Sequence, residues 1–291
     1  MGKHKRSLAS TLALLSAALT STATLATADD SQLRLRAKAG FEHFTWEEQH
    51  EGQRVVKESG VRWVAGLSWD NLNTAKEGWL LSLDGEFYFG SPDYSGLTQV
   101  QDPELIKFDD LEASSTTSYF GNRYEAQLGY RRPAENIHID VLGGLGLDMW
   151  TRDIKTATVT ANDGDTAKAS APKEQFLVLY TRAGAGLGWQ MGNFQHRLQA
   201  GIKYPIYIDE YVDALGAQLS PGKKASPFAR WEVTPLAVVQ GEAGWGLSLY
   251  YDTYRFETSA PVYMQVGDEQ LAYRQPQSDQ DQLGLLLHYY F

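Results

Sequence analysis

The sequence predicts an all-β fold: a closed antiparallel up-and-down barrel of about ten strands that crosses a membrane. Three observations predict it. Ten segments alternate apolar with other residues at a period of two. Most run about 10 to 14 residues, the length of a tilted membrane-crossing strand rather than of a globular one. The connections between them alternate between long and short, and the aromatic residues gather at the segment ends.

Composition sets the limits. The chain has 291 residues, of which 43% are hydrophobic and 12% aromatic, with 27 Gly and no Cys. The first stretch alone approaches the run of about 20 apolar residues that a spanning helix needs. Lys3, Lys5 and Arg6 precede an apolar run over 8–25, and Ala26-Thr27-Ala28 offers a small-x-small cleavage site before Asp29-Asp30. This reads as a cleaved secretory signal peptide over residues 1–28, leaving residues 29–291 as one barrel domain. Cleavage removes three basic residues and leaves 23 Lys and Arg against 36 Asp and Glu. An acidic surface of that kind disfavours nucleic acid as a partner. Without cysteine, stability must come from a sheet or a core, not from disulfides.

In order, the outward-facing positions are as follows. The first segment carries Leu33, Leu35, Ala37, Ala39 and Phe41, alternating with Arg34, Arg36, Lys38 and Gly40. The second has Val61, Trp63, Ala65, Leu67 and Trp69, and the third Trp79, Leu81, Leu83, Phe87 and Phe89. The fourth has Tyr124, Ala126, Leu128 and Tyr130, and the fifth Ile137, Ile139, Val141, Leu145, Leu147 and Met149. Leu177 to Trp189 forms the sixth, and His196, Leu198, Ala200, Ile202, Tyr204 and Ile206 the seventh. The eighth, around Trp231 and Val233, is blurred by Pro235. Ala243, Trp245, Leu247, Leu249 and Tyr251 make the ninth, and Leu283, Leu285, Leu287, Tyr289 and Phe291 the last. Side chains two apart share one face of a strand, so each set is a continuous apolar stripe.

The even-numbered connections are short: 70–76, 131–136, 190–193 and 240–242. The odd ones are long and polar: 47–56, 90–117, 152–174, 210–226 and 257–281. Short turns at one end and long loops at the other mark a membrane barrel, whereas sandwiches distribute loop lengths without this bias. Trp63, Trp69, Trp79, Phe89, Tyr130, Trp189, Trp231, Trp245, Tyr289 and Phe291 stand as membrane-interface aromatics. Closure pairs the first strand with the last and leaves no edge, so every backbone polar group is bonded within the protein. It sets Arg34, Arg36 and Lys38 beside Gly284, Leu286, His288 and Tyr290. Glycines at inward positions, Gly66, Gly144, Gly146, Gly184, Gly186, Gly188, Gly244, Gly246 and Gly284, suit a narrow curved interior.

The last nine residues, Leu-Gly-Leu-Leu-Leu-His-Tyr-Tyr-Phe, end on Phe291 two places after Tyr289. This closing strand resembles that of bacterial outer-membrane β-barrels. The resemblance implies the cell outer membrane as location, outer-membrane lipid and lipopolysaccharide as surroundings, and the barrel-assembly machinery as a partner reading the strand that ends in Phe291.

The charged residues on inward positions are the first candidate for function. Arg34, Arg36, Lys38, His138, Asp140, Arg197 and His288 fall in the half near the short turns. Arg62, Glu86, Arg123, Glu125, Asp148, Arg182, Asp209, Arg230 and Asp252 extend the set toward the long loops. Buried charge needs partners, so a network filling the lumen is expected. The Arg34, Arg36, Lys38 ladder puts three like charges on one strand face and is the hint of a narrow channel: acids on other strands, or passing anions, must neutralise it.

Ten strands is also the strand number of the omptins, outer-membrane proteases with aspartates and a His-Asp pair at the outer rim; the likeness is architectural and no omptin motif matches. His138-x-Asp140 puts a histidine and an acid on one face, as general-base work requires, but at the turn end. The outward His196 has no outward Ser or Glu to complete a lipid A deacylase arrangement. No catalytic residue, cofactor or metal site is expected. The loops 90–117 and 257–281 carry net charges of −5 and −4 from Asp93, Asp102, Glu104, Asp109, Asp110, Glu112 and Lys107, and from Glu257, Asp268, Glu269, Asp279, Asp281 and Arg274. Carboxylates beside an anionic lipid surface can share divalent cations with it, although no calcium-loop spacing occurs. The outer rim is rich in tyrosine at Tyr204, Tyr207, Tyr211, Tyr250, Tyr251 and Tyr254. The expectation is a non-enzymatic outer-membrane barrel with a structural or surface-interaction role and a narrow or plugged lumen. A narrow porin-like channel and an omptin-like hydrolase are the alternatives.

Overall fold

The period-two segments pair edge to edge into one closed ring. The computed structural model describes residues 33–74, 76–98, 103–213, 216–266 and 269–291. The expected signal peptide, 1–28, lies outside them, as do Asp102 and Asp268 of the two acidic loops. Ten long strands form the ring: β1 (Arg34–His50), β2 (Gln53–Asp70), β3 (Gly78–Gly90), β4 (Glu112–Ala134), β5 (Ile137–Ile154), β6 (Glu174–Met191), β7 (Phe194–Val212), β8 (Ser226–Pro235), β9 (Gly244–Glu257) and β10 (Gln277–Tyr290). Each is antiparallel to the next, and β10 returns to pair with β1 from Arg36↔Tyr290 to Gln49↔Gln277. The N–H of Phe291 donates to the carbonyl of Leu35 at 3.1 Å, so the terminal phenylalanine lies alongside the first strand.

At the turn end the connections are tight. Glu135 (φ 54°) and Gly192 (φ 57°) turn the chain in the left-handed region between β4 and β5 and between β6 and β7. Pro235 ends β8 and leads into the short helix α1 (Leu236–Val239), which accounts for the blurred eighth segment. At the other end a strand Asp93–Leu97 continues the line of β3 and pairs with both β2 and β4. The interruption falls at Pro92, which has no N–H to give to the ladder. Two hairpins, Ala157–Thr160 with Thr166–Ala169 and Val262–Val266 with Glu269–Tyr273, top this end.

The expected long loops are shorter than their sequence suggested. Residues 47–56 are almost wholly strand, turned at Glu51 (φ 49°) and Gly52 (φ 80°), and β4, β5, β6, β9 and β10 all run on into stretches expected as loop. The reason is a reversal of the hydrophobic face. Within the apolar band, Leu67, Val141 (67% exposed) and Leu283 point out, while Arg36, Asp140 and Gln282 point in. Beyond it, Trp46, Tyr119, Trp150, Phe176, Tyr254 and Phe256 point in and are buried, while Glu47, Asp153, Gln175 and Asp279 point out. The period of two persists, but an outward apolar stripe no longer marks it. These inward rings form the main hydrophobic cluster, with Trp150 stacked on Phe176 at 4.7 Å.

The interface aromatics all face outward. Trp79 meets Tyr130 edge-on at 5.6 Å and Trp245 meets Tyr289 at 4.9 Å near the turn end, while Trp63 and Phe89 lie on the loop side of the band. Inward glycines make room for rings: a methyl group at Gly146 would collide with Tyr180, at Gly284 with Tyr250 and at Gly188 with His138. One inward assignment is corrected. β7 carries a bulge between Pro205 and Tyr207, which moves every later side chain to the other face. Asp209 therefore faces out, where Gln218 donates to it, and Glu210 takes the buried position.

Candidate functional site: the charged lumen

The Arg34, Arg36, Lys38 ladder runs up the lumen wall on β1, and each rung has partners from other strands. Arg34 donates to the carbonyls of Glu242 at 2.9 Å, Phe291 at 2.8 Å and Val238, tying the β8–β9 turn to the C-terminus. Arg36 lies 2.9 Å from both Asp70 and Glu232, and Lys38 2.5 Å from both Asp84 and Glu86. Self-repulsion along the ladder is answered by acids on β2, β3 and β8, so it needs no passing anion.

The network continues upward. Glu86 also meets Arg123 at 3.2 Å, and Arg123 reaches Asp148 at 3.2 Å and the side-chain oxygen Oε1 of Gln282 at 2.7 Å. Tyr88 donates to Asp148 at 2.6 Å. Arg62 pairs with Glu42, its guanidinium carbon 3.8 Å from the ring centre of Phe44 and 4.4 Å from that of Tyr88. Arg182 pairs with Glu125 at 2.7 Å beneath Phe228, and Lys203 with Asp252 at 2.5 Å, its ammonium 3.4 Å from the Tyr254 ring centre. Such charge-assisted pairs and cation–π contacts strengthen where water is excluded.

Asp140 holds Arg131 at 2.7 Å and Arg197 at 3.0 Å, which removes it from His138; His138 has a buried Nε2 with no hydrogen-bond partner. His288 bonds Ser248 at 2.7 Å. His196 is sandwiched between Trp189 (5.3 Å) and Trp231 (5.8 Å) on the outward face. Among the described residues no histidine is hydrogen-bonded to a carboxylate, and no group of three or more His, Cys, Asp or Glu could hold a metal ion. Arg182 and Arg230, expected toward the loops, share a cavity with Arg36 and Arg197, so the two expected halves of the network merge. This cavity measures about 10 Å³, room for about one water.

A third cluster lies above the apolar band and was missed from the sequence. Arg152 meets Glu48 at 2.8 Å, Glu58 at 2.6 Å and Glu174 at 2.8 Å. Val212 is opposite Glu174, which puts Glu210 diagonally across from it, fully buried, with neither carboxylate oxygen bonded. Outward neighbours at this height are polar, with Glu47 and Lys57 paired at 3.3 Å. Burial pushes the Glu174 carboxyl up to about 7; Arg152 opposes the rise, and Glu48 and Glu58 add to it. Glu210 is raised in the same direction, chiefly by burial and then by Glu174 and Glu48. The continuing inward alternation of Glu48 and Glu58 was the available signal, but Glu48 lay in a stretch expected as loop and Glu58 between that loop and the second apolar segment. Glu210 gave none, because only the bulge turns it inward.

No family model matches the sequence, and no curated protein matches it. Among solved structures, the translocator domain of the autotransporter NalP from Neisseria meningitidis aligns over 97% of this chain and 97% of its own, at 11% identity and a TM-score of 0.36. The outer membrane protease OmpT from Escherichia coli is similar over 90% of this chain and 99% of its own, at 10% identity and a TM-score of 0.52. At that identity the likeness to OmpT is one of fold alone: the chain is a closed ten-strand antiparallel barrel of the outer-membrane kind.

Proposed function

We propose that this protein is an outer-membrane barrel with a plugged lumen, whose role is structural or resides in contacts made by its loop end at the cell surface. One observation carries the reading: arginines, acids and stacked rings fill the barrel, with Arg36, Arg62, Arg131, Arg152 and Arg197 all under 2% exposed. Outer-membrane lipid and lipopolysaccharide would surround the band, and the acidic loop end would meet lipid phosphates through shared divalent cations. The barrel-assembly machinery would read the β10 strand ending in Phe291.

Planar-bilayer recording tests the plug. The purified barrel is expected to give no discrete conductance steps, and deletion of a loop-end hairpin (157–169 or 262–273) to abolish surface binding while leaving the barrel folded. Reproducible steps whose ion selectivity shifts on Arg36→Glu would overturn the reading in favour of a narrow channel.

A further inference from the structure

On the outside of the barrel a serine and a histidine from adjacent strands face each other. Oγ of Ser59 on β2 lies 3.4 Å from Nε2 of His43 on β1. Both side chains point away from the lumen, since the alternation puts their neighbours Glu42, Phe44 and Glu58 inside, each at 0% exposure. Ser59 is opposite Thr45, and His43 is opposite Val61, so His43 reaches Ser59 along the diagonal of the ladder. The hydroxyl of Thr45 has no hydrogen-bond partner among the described residues. No carboxylate there bonds His43, so the pair is a dyad without an orienting acid. Ser248 and His288 make a shorter contact of 2.7 Å, but both are buried in the lumen, where no substrate reaches them.

The height of the outer pair defines what can reach it. Level with His43 and toward the turn end, the outward side chains are Leu283, Val61, Phe41 and Trp63, which belong to the apolar band. In the row on the loop side of Ser59 they are Lys57, Glu47, Asp279 and Arg255, with Lys57 and Glu47 ion-paired at 3.3 Å. The pair therefore straddles the border between hydrocarbon and headgroups, the depth at which the acyl esters of a membrane lipid lie. Lys57 and Arg255 in the headgroup row suit a lipid that carries phosphate.

We propose that Ser59 and His43 form an esterase site for the acyl esters of a phosphorylated lipid packed against the outside of the barrel. Oγ of Ser59 attacks the ester carbonyl carbon while Nε2 of His43 takes its proton. The hydroxyl of Thr45 donates to the oxyanion that forms. Collapse breaks the bond between the acyl carbon and the alcohol oxygen, and His43 returns the proton to that leaving oxygen. A water deprotonated by His43 then cleaves the acyl-serine, releasing the fatty acid and restoring both residues. The site is independent of the plugged lumen and of the loop-end contacts proposed above.

The test uses the full mature barrel in detergent, given phosphatidylethanolamine or lipopolysaccharide in mixed micelles, with released fatty acid read by mass spectrometry. Release from at least one lipid is expected, and the lipid that yields it identifies the substrate. Ser59→Ala and His43→Gln should each lower the rate about a hundredfold or more, and Thr45→Val about a hundredfold. The melting temperature should stay unchanged in Ser59→Ala and His43→Gln, whose lost side-chain contact is an exposed one. A long-chain fluorophosphonate should add one label to the peptide carrying Ser59, and more slowly in His43→Gln. No release from either lipid by the folded barrel overturns the proposal, as does release that survives Ser59→Ala or a fluorophosphonate that leaves Ser59 unlabelled.

Discussion

The Arg152 cluster makes the stability of the barrel's loop end depend on pH in an unusual direction. Four buried acids, Glu48, Glu58, Glu174 and Glu210, face one arginine. Glu174 titrates near 7 when folded, against an ordinary value of 4.5. Between those limits the folded chain keeps a proton that the unfolded chain has lost. Stability is therefore full below about pH 4.5, falls as pH rises toward 7, and is level above. A rise of this size corresponds to about 3 kcal/mol for Glu174, and Glu210 acts in the same direction. Guanidinium unfolding in micelles, followed by tryptophan fluorescence at pH 5 and pH 8, measures it. Glu174→Gln should match the wild type near pH 4.5 and exceed it at pH 8, because Arg152 keeps Glu48 and Glu58 as partners. If the difference between wild type and variant were the same at both pH values, or grew toward acid, the assignment of a buried protonated carboxyl would be wrong.

Three further outcomes follow from other parts of the barrel. Arg152→Met strips the only base from this cluster and should cost about 3–5 kcal/mol, read as a lower guanidinium midpoint and faster proteolysis near the 51–52 turn. Leu249→Arg puts a charge on the lipid face in mid-band and should cost about 2–4 kcal/mol, whereas Glu47→Arg, outward above the band, should stay within about 0.5 kcal/mol in the same titration. Gly284→Ala drives a methyl into the Tyr250 ring and should cost about 1–3 kcal/mol, with the loss reduced in Gly284→Ala/Tyr250→Leu, where the ring is gone.

Much of the site was legible because alternation on a strand assigns a face without any knowledge of partners. Arg34, Arg36, Lys38, Arg62, Glu86, Arg123, Glu125, Asp148, Arg182, Arg230 and Asp252 could each be placed inward from the phase of their own segment, and the structure turns each of them inward. Asp209 could not, because a bulge at Pro205–Tyr207 is a backbone event with no apolar stripe to reveal it. The strand extensions above the band were hidden for a different reason: there the apolar face turns inward, as in a soluble sheet, and an outward polar row reads as loop. Nor does any local signal say that Asp140 serves Arg131 and Arg197 instead of His138.

By itself the sequence determined the ten strands, their up-and-down order, the lipid-facing band and its aromatic borders. All of these are consequences of a two-residue period in a solvent that forbids unpaired backbone groups. The tertiary structure alone decided who pairs with whom inside. Closing the ring sets residues from distant strands against one another across the lumen, and only that juxtaposition turns a list of inward charges into matched pairs and an acid-rich cluster around Arg152.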